Sequence, residues 1–519
     1  MWSSPMAHFQ FEFETRVDWP RLAWIAELRN GESLVRVTCG TGVERRSDWF
    51  CEAAWDGPFD VGDFDRTDIV AGSGVRARGE ALVFVSSGTI LDRLNYIELE
   101  DRVLVSNSLS AMVAISDTRL DITYPDYHLD LGTICDGLDE VNDRIASSRG
   151  DIRLVYFENL AWDGECLAIA KKPRITRDFS TFALYRHFMQ RTTKLIVENS
   201  RCLERERQFE PLVPLSNGYD SPTVAVFARA AGVRDAFTIA RDRDGNDESG
   251  EAIGEALGFD IQVIDRGAWR KNNSPEIECI AGSGAAGEVS FDGLGEDLSG
   301  RLLLSGFWGG SPWDAHCEYP YATFPHHDGS GLCFTELRLS RGFLHCPVPF
   351  WGGLQIVDLI NLSQSDEMLP WSVAGRYNRP ICRRIVEEAG IPRGTFATDK
   401  HGSSDRLLSI WNFLPPESTA SYQRWLRQHS FRWLRQGRVP PYPILGAIYD
   451  GLIAYGVLPV LRRIAIPVVR KLGAATGNAR VKGCLVSLRR KVEFLDQEPL
   501  FARRYTFPWA LEISSAKYR

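Results

Sequence analysis

The chain is predicted to be an α/β protein: a β-rich first third, a parallel sheet in the middle and a helical C-terminal region. Three observations carry this. Up to about Arg174, short runs of β-branched or aromatic residues are separated by Gly, Asp and Asn. From Pro211 onward, apolar runs alternate with helical segments, the pattern of a parallel sheet covered on both faces. Beyond about Gly402 the composition shifts to Trp, Arg and Leu. The expected domains are 1–175, 176–420 and 421–519.

Composition sets the outer limits. The 519 residues, 44% hydrophobic and 25% charged, suit a soluble globular chain of two or three domains. A net charge of −8 leaves no basic excess for phosphate backbones, so no nucleic-acid partner is expected. The 11 cysteines are scattered, without a C-x-x-C pair or a tight His/Cys cluster. Reduced thiols and a cytoplasmic location are therefore expected. The start, MWSSPMAHFQFEFETR, lacks the basic and apolar regions of a signal peptide.

In chain order, residues 33–38, 81–86, 95–99, 102–106, 152–157 and 166–170 read as strands of one α+β or sandwich-like domain. Residues 182–207 are long, charged and free of Gly and Pro, which predicts a helix. The apolar run 212–215 then ends in the polar turn Ser-Asn-Gly-Tyr-Asp-Ser at 216–221, and Pro222 opens a helix that Gly232 closes. Such a strand, turn and helix aim backbone N–H groups at an anion, usually phosphate. Pro214 is out of place there, because proline lacks a ladder donor. Residues 236–240, 260–265 and 301–305 are further strands, and 247–257 reads as a helix with acids at its start and Gly258 at its end. The turns at 216–221 and 306–310 both follow strands, at the end of a parallel sheet where ligands bind. Residues 440–469 are mostly apolar but contain Asp450 and are broken by Gly446, Gly451, Gly456, Pro459 and Pro467. Three readings stay open for them: a buried helical hairpin, peripheral membrane contact through 440–471 aided by Arg462, Arg463, Arg470 and Lys471, or, against the breaks, a membrane span.

The order of these segments resembles the N-type ATP pyrophosphatases, and more narrowly their asparagine-synthetase-like branch. SNGYDS is similar to that family's S-G-G-x-D-S pyrophosphate loop. FTIA with DESGEAIGEALGF resembles its second strand and acidic helix, and LLLSGFWGG resembles its L-S-G-E-G-x-D-E segment. CPVPFWGG and the Lys400-His401-Gly402 region are similar to its R-V-P-F-L-D and lysine-containing segments. The likeness covers roughly residues 180–405. More weakly, ILDRLNYIELEDRVLVSNSLSAMVA resembles the stretch of a class II glutaminase-like domain that leads into the synthetase half. There the nucleophile is an N-terminal cysteine. Here Met1 is followed by Trp2, and the first cysteine is Cys39. The expectation is a glutaminase-like domain without its nucleophile.

The resemblance implies an adenine nucleotide α-hydrolase-like synthetase domain that binds ATP and Mg²⁺. It would adenylate a small-molecule or peptide carboxylate and pass the acyl group to an amine. β-Lactam synthetases and lasso-peptide cyclases share this scaffold without the cysteine. Ser216, Asn217, Gly218 and Ser221 would cradle phosphate, with Ile239, Ser305 and Gly306 as further nucleotide positions. Asn217 stands where the family has Gly, and Asn is the best substitute if φ is positive there. Asp220 matches the first magnesium carboxylate. Phe307 and Gly310 stand in the acidic places of the second loop, which leaves Asp314 as the second metal carboxylate. Lys400 would face the acyl-adenylate and pyrophosphate. His345 would be a base for the amine, or simply packed. Arg376, Arg379, Arg383 and Arg384 would bind an anionic substrate or form a salt-bridged helix face with Glu387 and Glu388. The sequence does not fix the oligomeric state; a homodimer stays open, since dimers are common among symmetric assemblies. The other reading is an ATP-binding pseudoenzyme, favoured by the departures at Asn217, Phe307, Gly310, His345 and Pro347.

Overall fold

In a computed structural model of the chain, residues 9–122, 124, 126–242, 245–317, 322–326, 329–375, 377–396, 413–436 and 505–519 are described. Met1, Trp2, Arg376, Lys400 and the apolar segment 440–471 lie outside them.

The first part is a two-sheet β-sandwich. Its strands are β1 (Gln10–Thr15), β2 (Trp24–Leu28), β3 (Leu34–Cys39), β4 (Glu44–Arg45), β5 (Trp49–Trp55), β6 (Val70–Arg78), β7 (Ala81–Val85), β8 (Arg93–Glu98), β9 (Val103–Ser106), β10 (Arg144–Ile145), β11 (Ile152–Tyr156), β12 (Asn159–Trp162) and β13 (Leu167–Ala170). One sheet runs β1-β3-β2-β9-β8-β11-β10 and the other β13-β12-β7-β6-β5-β4. All pairings are antiparallel except the parallel edge pair β1–β3. Side chains alternating along each strand meet between the sheets, where Trp24 packs edge-on to Phe50 at 5.3 Å. Every residue of β5 is buried, because its outer face carries a second apolar layer of Trp49, Trp55, Phe59 and Phe64. The six predicted strands all form, within a residue or two of their predicted limits. Cys39 ends β3 fully buried, and burial pushes its thiol above the ordinary range.

Two short helices, α1 (Leu109–Ile115) and α2 (Tyr127–Gly132), follow β9, and α3 (Phe182–Ser200) follows β13. The predicted helix to 207 stops at Ser200 because Arg205 folds back over its end. The buried guanidinium of Arg205 donates to the Asn199 carbonyl (2.7 Å) and the Ala53 carbonyl (2.9 Å), tying the helix end to β5.

The middle of the chain is a five-stranded sheet of β14 (Glu210–Leu215), β15 (Asp235–Ile239), β16 (Asp260–Ile264), β17 (Arg301–Ser305) and β18 (Leu344–Pro347). Its order is β16-β15-β14-β17-β18 and every pairing is parallel. The helices that connect its strands include α4 (Asp220–Ala230), α5 (Glu251–Leu257), α6 (Pro275–Ser283) and α7 (Phe334–Arg341). Beyond β18 come α8 (Ile356–Ser363) and α9 (Pro380–Glu388). The strand order reverses direction between β14 and β17, and the two Gly-containing turns meet there.

β14 holds two prolines in the centre of this sheet without losing a ladder bond. Its first half, 210–212, pairs with β17, and its second half, 213–215, pairs with β15. The Glu210 N–H donates to Gly300 on the β17 side, so by alternation Pro214 also faces β17, beyond the end of that ladder. Pro211 faces β15 before that ladder begins. Each missing N–H thus falls where no partner is paired.

Helix α7 joins the two parts. Its Glu336 accepts from the Ser108 hydroxyl (2.8 Å) and the Ser110 N–H (3.1 Å) at the start of α1. Its Arg338 lies between Glu52 of β5 and Asp92, and all three side chains are almost wholly buried. The helix Pro416–Gln436 and the C-terminal helix Thr506–Ser515 meet through Trp425 to Glu512 (2.9 Å), while Tyr518 beyond them reaches Ser108 (3.0 Å). Among the described residues, no helix is long and apolar enough to cross a membrane.

Candidate functional site

The loop 216–221 leaves the C-terminal end of β14 and runs straight into α4. The helix ladder starts with the Thr223 N–H on the Tyr219 carbonyl, so the N–H groups of Asp220 and Ser221 have no intrahelical partner. Pro222, the third helical residue rather than the first as predicted, removes a donor that would otherwise be orphaned. The Ser221 hydroxyl bonds back to Ser216, at 3.0 Å from its N and 2.9 Å from its Oγ, and closes the loop.

Asn217 is not in a left-handed conformation, and neither is Gly218. The expected backbone reason for Asn does not hold; its side chain supplies another. Asn217 Nδ2 donates to the Asp247 carbonyl (3.0 Å) and its N–H to the Glu248 carbonyl (3.2 Å), stitching the loop to the segment before α5. Asp247 and Glu248, predicted to open that helix, are extended instead, since a bridge between Ser216 and Ser249 holds this segment flat. Glu251 is the acid left in the first turn.

The second loop approaches the first at van der Waals distance. A Cβ at Gly306 would lie 2.8 Å from the Asp220 carbonyl carbon, and one at Gly309 would lie 2.7 Å from Asp220 Cγ. Gly306→Ala is therefore expected to destabilise the protein by about 1–3 kcal/mol. Gly132→Ala, in a helix with open space beside it, is expected to be neutral or slightly stabilising. Urea unfolding of the two variants checks this.

Sequence reasoning placed no inner role on Tyr377 and left Arg379 in a cluster with two readings. The structure divides that cluster. Arg384 bonds Glu367 (2.8 Å) and Glu388 (2.9 Å) on a salt-bridged face. Arg379 turns inward, and Arg383 does both, pairing with Glu387 at 3.6 Å while reaching into the loop. Arg379, 1% exposed, pairs with the Asp220 carboxylate, and Arg383 donates to the Tyr219 hydroxyl. The Tyr377 hydroxyl accepts from the Tyr219 N–H (3.2 Å). Burial, and then the Asp220 charge, push the Tyr377 phenol above its ordinary range, so the ring is neutral. The usable signal was the spacing of Tyr377 and Arg379 just before Pro380, since proline at the first turn of α9 fixes where the helix starts.

The remaining predicted positions fall in different settings. Ile239 ends β15, paired with Ile264. Asp314 lies in the second loop, where one carboxylate oxygen accepts from the His316 N–H (2.9 Å). Phe307 turns away from Asp220 into a ring cluster with Phe291 (6.0 Å) and His345 (5.6 Å). His345 does not fit the role of base for an incoming amine. It is 3% exposed on β18, with Nε2 on the Ser305 hydroxyl at 2.8 Å. Burial, and then the Arg338 charge, lower its pKa from 6.5 to about 3. The neutral packed ring is a wall of the core.

The residues present do not fit a two-carboxylate magnesium site. Asp220 is held by Arg379, the second loop is glycine where it faces Asp220, and no group of three or more His, Cys, Asp or Glu among the described residues is placed to hold a metal ion. Two surface clefts among the described residues lie elsewhere, at the sandwich edge beside Arg102 and along the connector at Arg177 and Gln355. Neither reaches the loop. No protein-family model and no curated protein matches this chain.

Proposed function

We propose that the chain is an ATP-dependent carboxylate–amine ligase of the asparagine-synthetase-like kind, without a glutaminase activity of its own. In this reading a substrate carboxylate attacks the α-phosphate of ATP, pyrophosphate leaves, and an amine displaces AMP from the acyl-adenylate to form an amide. The observation that carries it is the position of the loop 216–221. It sits at the C-terminal end of the central strand, at the reversal of a parallel sheet, with a helix N-terminus and buried arginines around it. That combination suits a phosphate chain. The order of the five strands and the ordered likeness of the four segments favour an adenine nucleotide α-hydrolase-like domain.

A second reading, ATP binding without turnover, is favoured by the Tyr219 N–H already bonded to Tyr377 and by the absence of an acid at Phe307 and Gly310. Exchange of labelled pyrophosphate into ATP, driven by a pool of candidate small and peptide carboxylates, separates the two. Carboxylate-dependent exchange that disappears in Asp220→Ala is expected of the ligase. ATP-dependent thermal stabilisation with no exchange under any carboxylate selects the pseudoenzyme.

A further inference from the structure

We propose that the anion site at 216–221 works without a divalent metal, with the Arg379 guanidinium as its resident cation. This rests on the nucleotide reading above and adds what neutralises the phosphates. Asp220 is the carboxylate of the loop, and Arg379 already occupies it. Arg379 Nη1 engages Asp220 Oδ1, so magnesium at that oxygen would have to push the guanidinium off its partner. That leaves an unpaired guanidinium, 1% exposed, in a site where Tyr377 stacks beneath it at 4.9 Å. Removing one member of a buried ion pair is strongly unfavourable, and arginine does not escape by losing its proton.

Where the neighbouring loop faces Asp220 it is glycine. The backbone of Gly306 and Gly309 fills the space against Asp220, and Phe307 belongs to the aromatic core. Asp314 has one oxygen on the His316 N–H. The guanidinium, by contrast, has capacity to spare. It carries five N–H donors in a planar fork that matches phosphate oxygens. One nitrogen, Nη1, is on Asp220, and the buried Nε has no hydrogen-bond partner. Arg383, on the Tyr219 hydroxyl one helical turn along α9, is already paired with Glu387 at 3.6 Å, which leaves Arg379 as the cation on the loop carboxylate. A phosphate chain arriving at the loop therefore meets a cation that is already held in place.

The test is calorimetric titration of the full chain with ATP, once in excess EDTA and once in excess magnesium. The expected result is affinity in EDTA equal to that in magnesium within about threefold, which is well under 1 kcal/mol. Arg379→Ala is expected to weaken binding about 10- to 100-fold in both buffers, the effect of losing a hydrogen bond to a charged group. Arg379→Lys keeps the charge but not the fork, and is expected to lie between the two. Affinity at least tenfold weaker in EDTA than in magnesium overturns the inference and leaves the nucleotide reading standing. No binding in either buffer removes both. The buffer comparison uses the unaltered chain, so it decides even if Arg379→Ala does not fold.

Discussion

Arg338→Met is expected to destabilise the protein by about 3–5 kcal/mol, the usual consequence of removing one partner from a buried ion pair. Arg338 Nη1 lies 2.6 Å from Glu52 Oε2, and its Nε lies 2.7 Å from Asp92 Oδ2. Glu52 is further held by Ser73 (2.6 Å) and Asn107 (3.1 Å), and through Ser73 by the Trp24 indole. This network is the polar centre of the seam between the sandwich and the parallel sheet. Without the guanidinium, two buried carboxylates face each other uncompensated. Burial already pushes the Glu52 carboxyl upward against the pull of Arg338, so the variant is expected to take up a proton there. The deficit should accordingly shrink as pH falls. Adding Glu52→Gln to Arg338→Met should recover part of the loss, because one of the stranded charges is gone. Urea denaturation of the three proteins, with pH varied, checks all of this. A deficit below about 1 kcal/mol in Arg338→Met would contradict the assignment of this triad as a fully desolvated contact.

The second large effect is a pH dependence centred on His345. Its folded-state pKa is depressed from 6.5 to about 3, by burial first and by Arg338 second. Between those limits the unfolded chain binds one more proton at this residue than the folded chain does. Stability from this group is complete above about pH 6.5 and is lost as pH falls towards 3. The slope approaches 1.4 kcal/mol per pH unit, so the loss is about 2 kcal/mol by pH 5. His345→Gln, which keeps a group able to bond the Ser305 hydroxyl but does not titrate, should remove that share of the slope. The measurement is thermal unfolding of both proteins between pH 5 and 7. Parallel stability curves would show that the folded protein accepts the imidazolium. Aromatic packing from Phe307 and Phe334 (4.9 Å) around the ring argues that it does not.

These two residues sit on one path through the molecule. Arg338 anchors α7 to β5, α7 leads into β18, and His345 on β18 holds the last residue of β17. Gly306, next along, lies against the first turn of α4. The seam between the two parts therefore helps to set the loop around Asp220, so a seam variant that folds should still be examined for nucleotide binding.

Much of the fold was legible in the sequence because hydrophobic alternation, Gly punctuation and proline placement act over a few residues. That local information located β3, β7, β8, β9, β11 and β13 of the sandwich, the parallel strands β15, β16 and β17 and the loop 216–221 with the helix behind it. It missed β1, β2, β4, β10, β12 and β18, and also β5 and β6, WFCEAAW and VAGSGVRAR, where small residues and glycines interrupt the β-branched pattern. In the folded chain those glycines let β5 and β6 pack closely, and Gly72 takes φ of +102° opposite Ala53. The end of α3 was set by Arg205 reaching a strand far away in sequence, and the start of α5 by a bridge to the phosphate-type loop.

At the candidate site the division is sharper. The sequence alone determined that a polar, Gly-containing turn with Asp220 ends a central strand, because strand, turn and helix signals are contiguous there. Only the tertiary structure decided what faces that turn. Arg379 reaches Asp220 across 159 residues, Gly306 and Gly309 meet it from a strand added beside β14, and His345 is withdrawn into the core by the rings around it. The physical reason is range. Helix and strand preferences are decided by near neighbours, whereas charge pairing and burial depend on which distant segments the sheet order brings together.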